Sequence, residues 1–357
     1  MKAPSSLVAR AAGTSLLIAS SALFATHAAH AQTRAEPQPR AEPQPHAAEP
    51  PTPWTDSQTT LGFAANGAFF DRTYVPAGDV RAQADLYLTL RPRYRVHRML
   101  QLRAYWDFDV ELTDADDTTT RHELRVSDPT LALWFDGIPA LGGLRTSVAA
   151  ALTAPVSERS RADTMILATT LVAQAHWSTP LARGTFRAIA RAGWTHWFHQ
   201  YTTPGVRGEI PYARSCVTAA GDCSGQLRGI TSVHDGLDWN LTVTQAWDVL
   251  SPGVSFGMSH QWPYDVATTI GPTIGVIPST ATRVYSDFAF WLDVMPTSGL
   301  TVEAGYALTR LILDGEGHYG NPFYDRYQNW RVYLSVTFAL DRLLDGRSHS
   351  ERGIVRW

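Results

Sequence analysis

The sequence predicts an all-β fold, an antiparallel transmembrane β-barrel of about 12 strands. Three observations predict it: apolar and polar residues alternate with a period of two, the alternating segments are long for soluble strands, and short links alternate with long ones.

Residues 1–31 have the layout of a secretory signal peptide. Lys2 and Arg10 precede an apolar run from Ser15 to Phe24, and Ala29-His30-Ala31 offers small residues at the two positions a signal peptidase reads. An apolar run of roughly ten residues is too short to anchor the chain, so cleavage before Gln32 is expected. Residues 32–56 follow as a Pro-rich periplasmic linker in which Arg34-Ala-Glu-Pro-Gln-Pro39 recurs as Arg40-Ala-Glu-Pro-Gln-Pro45. Such a segment buries too little apolar surface to fold and favours extended polyproline II.

The barrel is expected over residues 57–341. Its third strand carries the cleanest pattern, with Leu100, Leu102, Ala104, Trp106, Phe108 and Val110 alternating with Gln101, Arg103, Tyr105, Asp107, Asp109 and Glu111. A helix would scatter those charges around its circumference, whereas a strand puts every apolar residue on one face. The same alternation runs through Trp330, Val332, Leu334, Val336 and Phe338, and through Phe288, Phe290, Leu292 and Val294. The other strands are expected at 58–71, 79–92, 121–136, 143–155, 164–178, 183–198, 238–249, 252–263 and 299–312. Pro129 should break the fourth by a bulge or a change of face.

Turn-like links are expected at Arg91 to His97, Asp136 to Gly143, Ser178 to Gly184, Ser251-Pro252-Gly253 and Pro296-Thr297-Ser298-Gly299. The links between them include the long ones, 199–237, 264–280 and 313–328. Short turns on one side and long loops on the other, with an even strand count, place both ends of the barrel in the periplasm. Trp106, Trp194, Trp239, Trp247, Trp262 and Trp330 fall on outward faces, as an interfacial aromatic belt requires.

The net charge of −3 argues against a nucleic-acid partner. Cys216 and Cys223, in a Gly-, Ser- and Thr-rich stretch of an exported chain, are expected to form a local disulfide in an external loop. Without neighbouring histidines they make a poor zinc site.

Across nearly all of the mature domain the chain resembles Gram-negative outer-membrane β-barrel proteins as a class. The stretch Ser127-Asp-Pro-Thr-Leu-Ala-Leu-Trp-Phe135, with Gly143-Leu-Arg-Thr-Ser-Val-Ala-Ala-Ala-Leu-Thr-Ala-Pro155, is similar to a strand pair in barrels proposed to take up small organic compounds. The class resemblance implies an outer-membrane location, lipid as surroundings, and a barrel assembly machinery that reads a terminal aromatic. Phe338 takes that place here, but a polar tail, 342–357, runs on to Trp357, a departure in either the strand boundary or the recognition mode.

Ser259-His260 is the first candidate for chemistry, but adjacent strand residues face opposite ways, so the pair forms no dyad. His196 and His199, three apart on one strand, also face apart and should not share an ion. The His and Ser two apart followed by Asn-Gly, as in barrel phospholipases, does not occur in a usable strand. No catalytic site, metal or cofactor is therefore expected.

The inward faces remain: Arg81, Asp85, Arg103, Asp107, Asp109, Glu111, Arg145, Arg187, Arg191, Asp287, Asp293, Glu303 and Arg331. In lipid these would be costly, so they face water or one another. Either they line a narrow channel for small solutes, or they pair across a plugged interior and make a purely structural barrel. A barrel enzyme acting on lipid is the remaining alternative.

Overall fold

The computed structural model describes residues 54–70, 82–113, 122–138, 144–202, 205–206, 226–227, 232–264, 282–313, 319–324 and 330–345. Period-two alternation forms strands here because each segment can then turn one face to lipid and the other to water. In chain order they are β1 (Gln58–Asn66), β2 in two pieces (Ala84–Arg91 and Arg93–His97), β3 (Leu100–Glu111), β4 in two pieces (Leu124–Val126 and Thr130–Ile138), β5 (Leu144–Thr153) and β6 (Met165–Leu181). There follow β7 (Gly184–His199), β8 (Val233–Ala246), β9 (Leu250–Pro263), β10 (Arg283–Thr297), β11 (Leu300–Leu311) and β12 (Trp330–Ala339). A short ladder joins Gly205–Val206 to Gln226–Leu227.

Every neighbouring pair is antiparallel, and β1 pairs with both β2 and β12, which closes a 12-strand barrel. Closure removes the sheet edges that hydrocarbon would leave unsatisfied. The connections at 98–99, 139–143, 182–183, 247–249 and 298–299 are short, and the start of β1 and the end of β12 lie at the same end, where Leu340 N donates to Ser57 O at 2.9 Å. In one of the two-residue turns Ala182 and Arg183 both take positive φ, 50° and 61°, the backbone of a type I′ hairpin.

Burial is inverted relative to a soluble protein. Leu61, Leu131, Leu133, Leu171, Leu241, Phe290 and Leu334 are exposed on the outer surface, while Gln58, Thr60, Asp85, Gln101, Ser147, Gln174 and Glu303 are buried within. Such an apolar exterior suits hydrocarbon and would be a large liability in water. An aromatic girdle covers one side of it: Phe70 stacks on Trp330, which stacks on Tyr306, which stacks on Phe290.

Prolines account for two of the boundaries that differ from the sequence reading. Pro92 interrupts β2 without ending it: Pro92 O accepts from Ala104 N at 3.0 Å, and Arg93–His97 continue along β3. The turn therefore falls after His97. Pro252 and Gly253 do not form a turn but belong to β9; pairing with β8 stops at Thr244↔Gly253, so Pro252 sits past the end of that ladder while still opposing Leu292 of β10. Its missing N–H costs nothing there. The turn is 247–249, and β8 starts at Val233 rather than 238. Pro129 does divide β4, and Asp128 beside it organises the following link by accepting from Val156 N at 2.8 Å, from Ser157 N at 2.7 Å and from the Ser160 hydroxyl. Ser157 also caps the short α1 (Glu158–Ala162).

Candidate functional site: the barrel lumen

Strand parity carries the site. Cross-strand partners share a face, so one assigned residue fixes its neighbours. Buried Gln101 opposes Trp134; Arg103 opposes Ala132 and Arg93; Asp109 opposes Arg125 and Tyr87. Continuing round the ring, Ser147 opposes Gln174, Gln174 opposes Arg191, Arg191 opposes Asn240, and Asn240 opposes Gly257, which opposes Asp287. Asp293 faces Glu303, and Gly305 faces Tyr333. This parity places Asp85, Arg103, Asp107, Asp109, Glu111, Arg145, Arg187, Arg191, Asp287, Asp293, Glu303 and Arg331 on the lumen side. Arg81 lies outside the described residues, as do Cys216, Cys223 and residues 1–53.

The β2–β5 side of the lumen is cross-linked. Asp85 takes an ion pair from Arg125, Arg103 NH2 reaches Asp136 Oδ2 at 3.0 Å, and Thr89 Oγ1 donates to Asp107. The Arg103 guanidinium also lies 4.1 Å above the Trp134 ring, and Trp134 packs with Ala149 and Val172 into a small apolar patch inside the barrel. These contacts desolvate Arg103 while supplying both a counter-charge and a π face.

The opposite side is built from rings laid on glycines. Gly253, Trp291, Gly305 and Tyr333 oppose one another in succession across β9, β10, β11 and β12. A Cβ on Gly253 would sit 2.4 Å from the Trp291 ring, and one on Gly305 would sit 2.4 Å from the Tyr333 ring. Glycine therefore lets each ring lie flat against the wall instead of projecting into the lumen. Tyr333 then donates to Glu303 Oε1 at 2.5 Å, and Thr309 to Asp287 Oδ1 at 2.6 Å.

Between these walls the described residues leave space. An outer cavity of about 620 Å³ is lined by Asp85, Tyr87, Asp109, Arg125, Arg331 and, from the link after β5, Ser157, Arg159 and Asp163. A second, of about 450 Å³, is lined by Tyr87, Arg91, Arg191, Asp238, Asp287, Trp291, Glu303 and Tyr333. Tyr87 borders both. Arg103, Asp107, Glu111, Arg145, Arg187 and Asp293 line neither cavity. The sequence reading missed Tyr87, Arg91, Arg125, Asp136, Asp238, Trp291 and Tyr333 as lumen residues of consequence; parity would have found each once its strand was placed.

The catalytic candidates separate as strand geometry requires. Ser259 opposes Asp238 on the lumen side, and His260 stacks 6.4 Å from Trp262 on the outer face. His199 turns inward, lining the outer cavity and contacting Asp163 O at 2.8 Å, while His196 turns outward between Trp194 and Phe198.

No protein-family model and no curated protein matches the chain. Among solved structures it is similar to an outer membrane channel from Pseudomonas putida F1, at 13% identity and a TM-score of 0.47, covering 83% of this chain and 99% of that one. It is also similar to the NanC porin, at 10% identity and a TM-score of 0.41 (80% and 100% covered), and to outer membrane phospholipase A from Escherichia coli, at 10% and 0.33 (79% and 92% covered). The closed antiparallel ring, the apolar exterior and the short turns beside both ends of the barrel make this chain an outer-membrane β-barrel of the Gram-negative type.

Proposed function

We propose that the barrel is a narrow passive channel for small solutes. One observation supports this reading above others: along the lumen the described residues leave cavities of about 620 and 450 Å³, lined in part by charged side chains, and Tyr87 borders both. A barrel filled for stability alone would pack its inward side chains across that space, as small barrels do. Cavities of this size suit a small organic molecule with a few polar groups. Carboxylates and guanidiniums on different walls offer such a solute replacement for its lost hydration.

The reading gives the barrel no catalytic step, since Ser259 and His260 face opposite media. Its partners are outer-membrane lipid around the apolar exterior and the small solute within. The assembly machinery is the third, reading β12 near Phe338.

Swelling of proteoliposomes in graded solutes tests this. Pentoses and amino acids should enter faster than into protein-free liposomes, and trisaccharides should not. Equal rates for all solutes with and without the protein would leave a purely structural barrel.

A further inference from the structure

The geometry points to a transition-metal site at the outer end of β7 and β8, formed by His196, His234 and Asp235, for which Zn²⁺ is the fitting ion. It is independent of the channel reading. His196 and Asp235 oppose each other directly across the two strands. On a regular strand His234 would point to the other face from Asp235. The β8–β9 register shifts between Val233 and Asp235, and this bulge brings His234 to the side of its neighbour. As a result Nδ1 of His196 lies 2.8 Å from Asp235 Oδ1, and Nδ1 of His234 lies 2.5 Å from Asp235 Oδ2.

One donor atom from each of the three residues lies within 4.8 Å of the other two, and the side chains are 25–31% exposed, within reach of ions from the medium. Three ligands on a tetrahedral zinc at about 2.0–2.1 Å stand about 3.3 Å apart, so the two histidine–aspartate contacts would open by less than about 1 Å and any donor pair at the wide limit of the cluster would close by about 1.5 Å. Each imidazole then keeps its proton on Nε2 and turns Nδ1 to the ion. Two imidazoles and one carboxylate are a donor set for Zn²⁺ or its first-row neighbours, not for Ca²⁺ or Mg²⁺, which take oxygen ligands. Three protein ligands leave a fourth position for water or an external donor.

A plain hydrogen-bonded cluster, with Asp235 merely anchoring two interfacial rings, makes a different forecast. The test uses the full mature chain, without a histidine tag, folded in detergent, stripped of metal and titrated calorimetrically with Zn²⁺. We expect one zinc per chain, no comparable uptake of Mg²⁺, and tetrahedral absorption bands when Co²⁺ replaces Zn²⁺. His196→Gln, His234→Gln and Asp235→Asn should each weaken binding roughly tenfold or more. His97→Gln, beside the short turn at the opposite end of the barrel, should leave it unchanged. Because the ligands come from two strands, a variant that does not assemble leaves the others to decide. Absence of stoichiometric zinc, or zinc binding that survives all three substitutions, would overturn the site.

Discussion

The two walls of the lumen settle their buried polar groups in opposite ways. On β2–β5 the arginines are tied to carboxylates or rings, Arg125 to Asp85 and Arg103 to Asp136 and the face of Trp134, although Asp107 accepts from the Thr89 hydroxyl. On β9–β12 the carboxylates accept from neutral hydroxyls, Asp287 from Thr309 and Glu303 from Tyr333, and the large rings lie back on glycines. Around Arg103 the first wall behaves as an internal core in a polar idiom, while its Arg125–Asp85 pair borders the outer cavity; the second wall is a surface kept clear. The difference teaches that inward charge in a barrel is not by itself a pore: the same alternation yields a brace on one side and a lining on the other.

Breaking the contrast begins outside it. Leu133 is exposed to lipid on the braced wall, so Leu133→Arg should cost about 2–4 kcal/mol in urea unfolding from micelles, more than any lumen change. Next comes Arg103→Ala, which strands Asp136 and uncovers Trp134. Asp136 is 42% exposed, so the loss should be nearer about 2 kcal/mol than the larger cost of a fully buried pair. Glu303→Gln on the open wall keeps its bond from Tyr333 and should cost under about 1 kcal/mol. Equal losses for Arg103→Ala and Glu303→Gln would erase the distinction between brace and lining.

Gly305→Ala sharpens the contrast from the other side. Its methyl would displace the Tyr333 ring, so single-channel conductance should fall while the unfolding midpoint moves little. A last change lies remote from both walls. Ala182-Arg183 occupies a turn whose positive φ values favour Asn-Gly, and that replacement should raise stability by about 1 kcal/mol with conductance unchanged.

Strand existence was legible in the sequence because lipid on one side and water on the other impose a period of two. All twelve strands were anticipated, β3 to the residue, from Leu100 to Glu111. The prolines misled: Pro92 and Pro252 look like turn residues, but each sits where its missing N–H is not required. The site was legible by face and illegible by partner. Nothing local to Arg103 names Asp136, which comes beside it only through the β3–β4 register. The His196–His234–Asp235 cluster was hidden for the same reason and for one more, since a bulge at His234 reverses the facing that alternation predicts.

The central claim is that the open wall lines a conducting path. Planar-bilayer recording under a salt gradient tests it most directly, comparing the parent with Asp287→Asn and Asp107→Asn. The inner cavity carries Asp238, Asp287 and Glu303 against Arg91 and Arg191, so the account predicts discrete conductance with a mild cation preference. Asp287→Asn should shift the reversal potential towards anions, and Asp107→Asn, outside that cavity, should shift it less. Silence from all three proteins, or a selectivity indifferent to Asp287 and sensitive to Asp107, would contradict it.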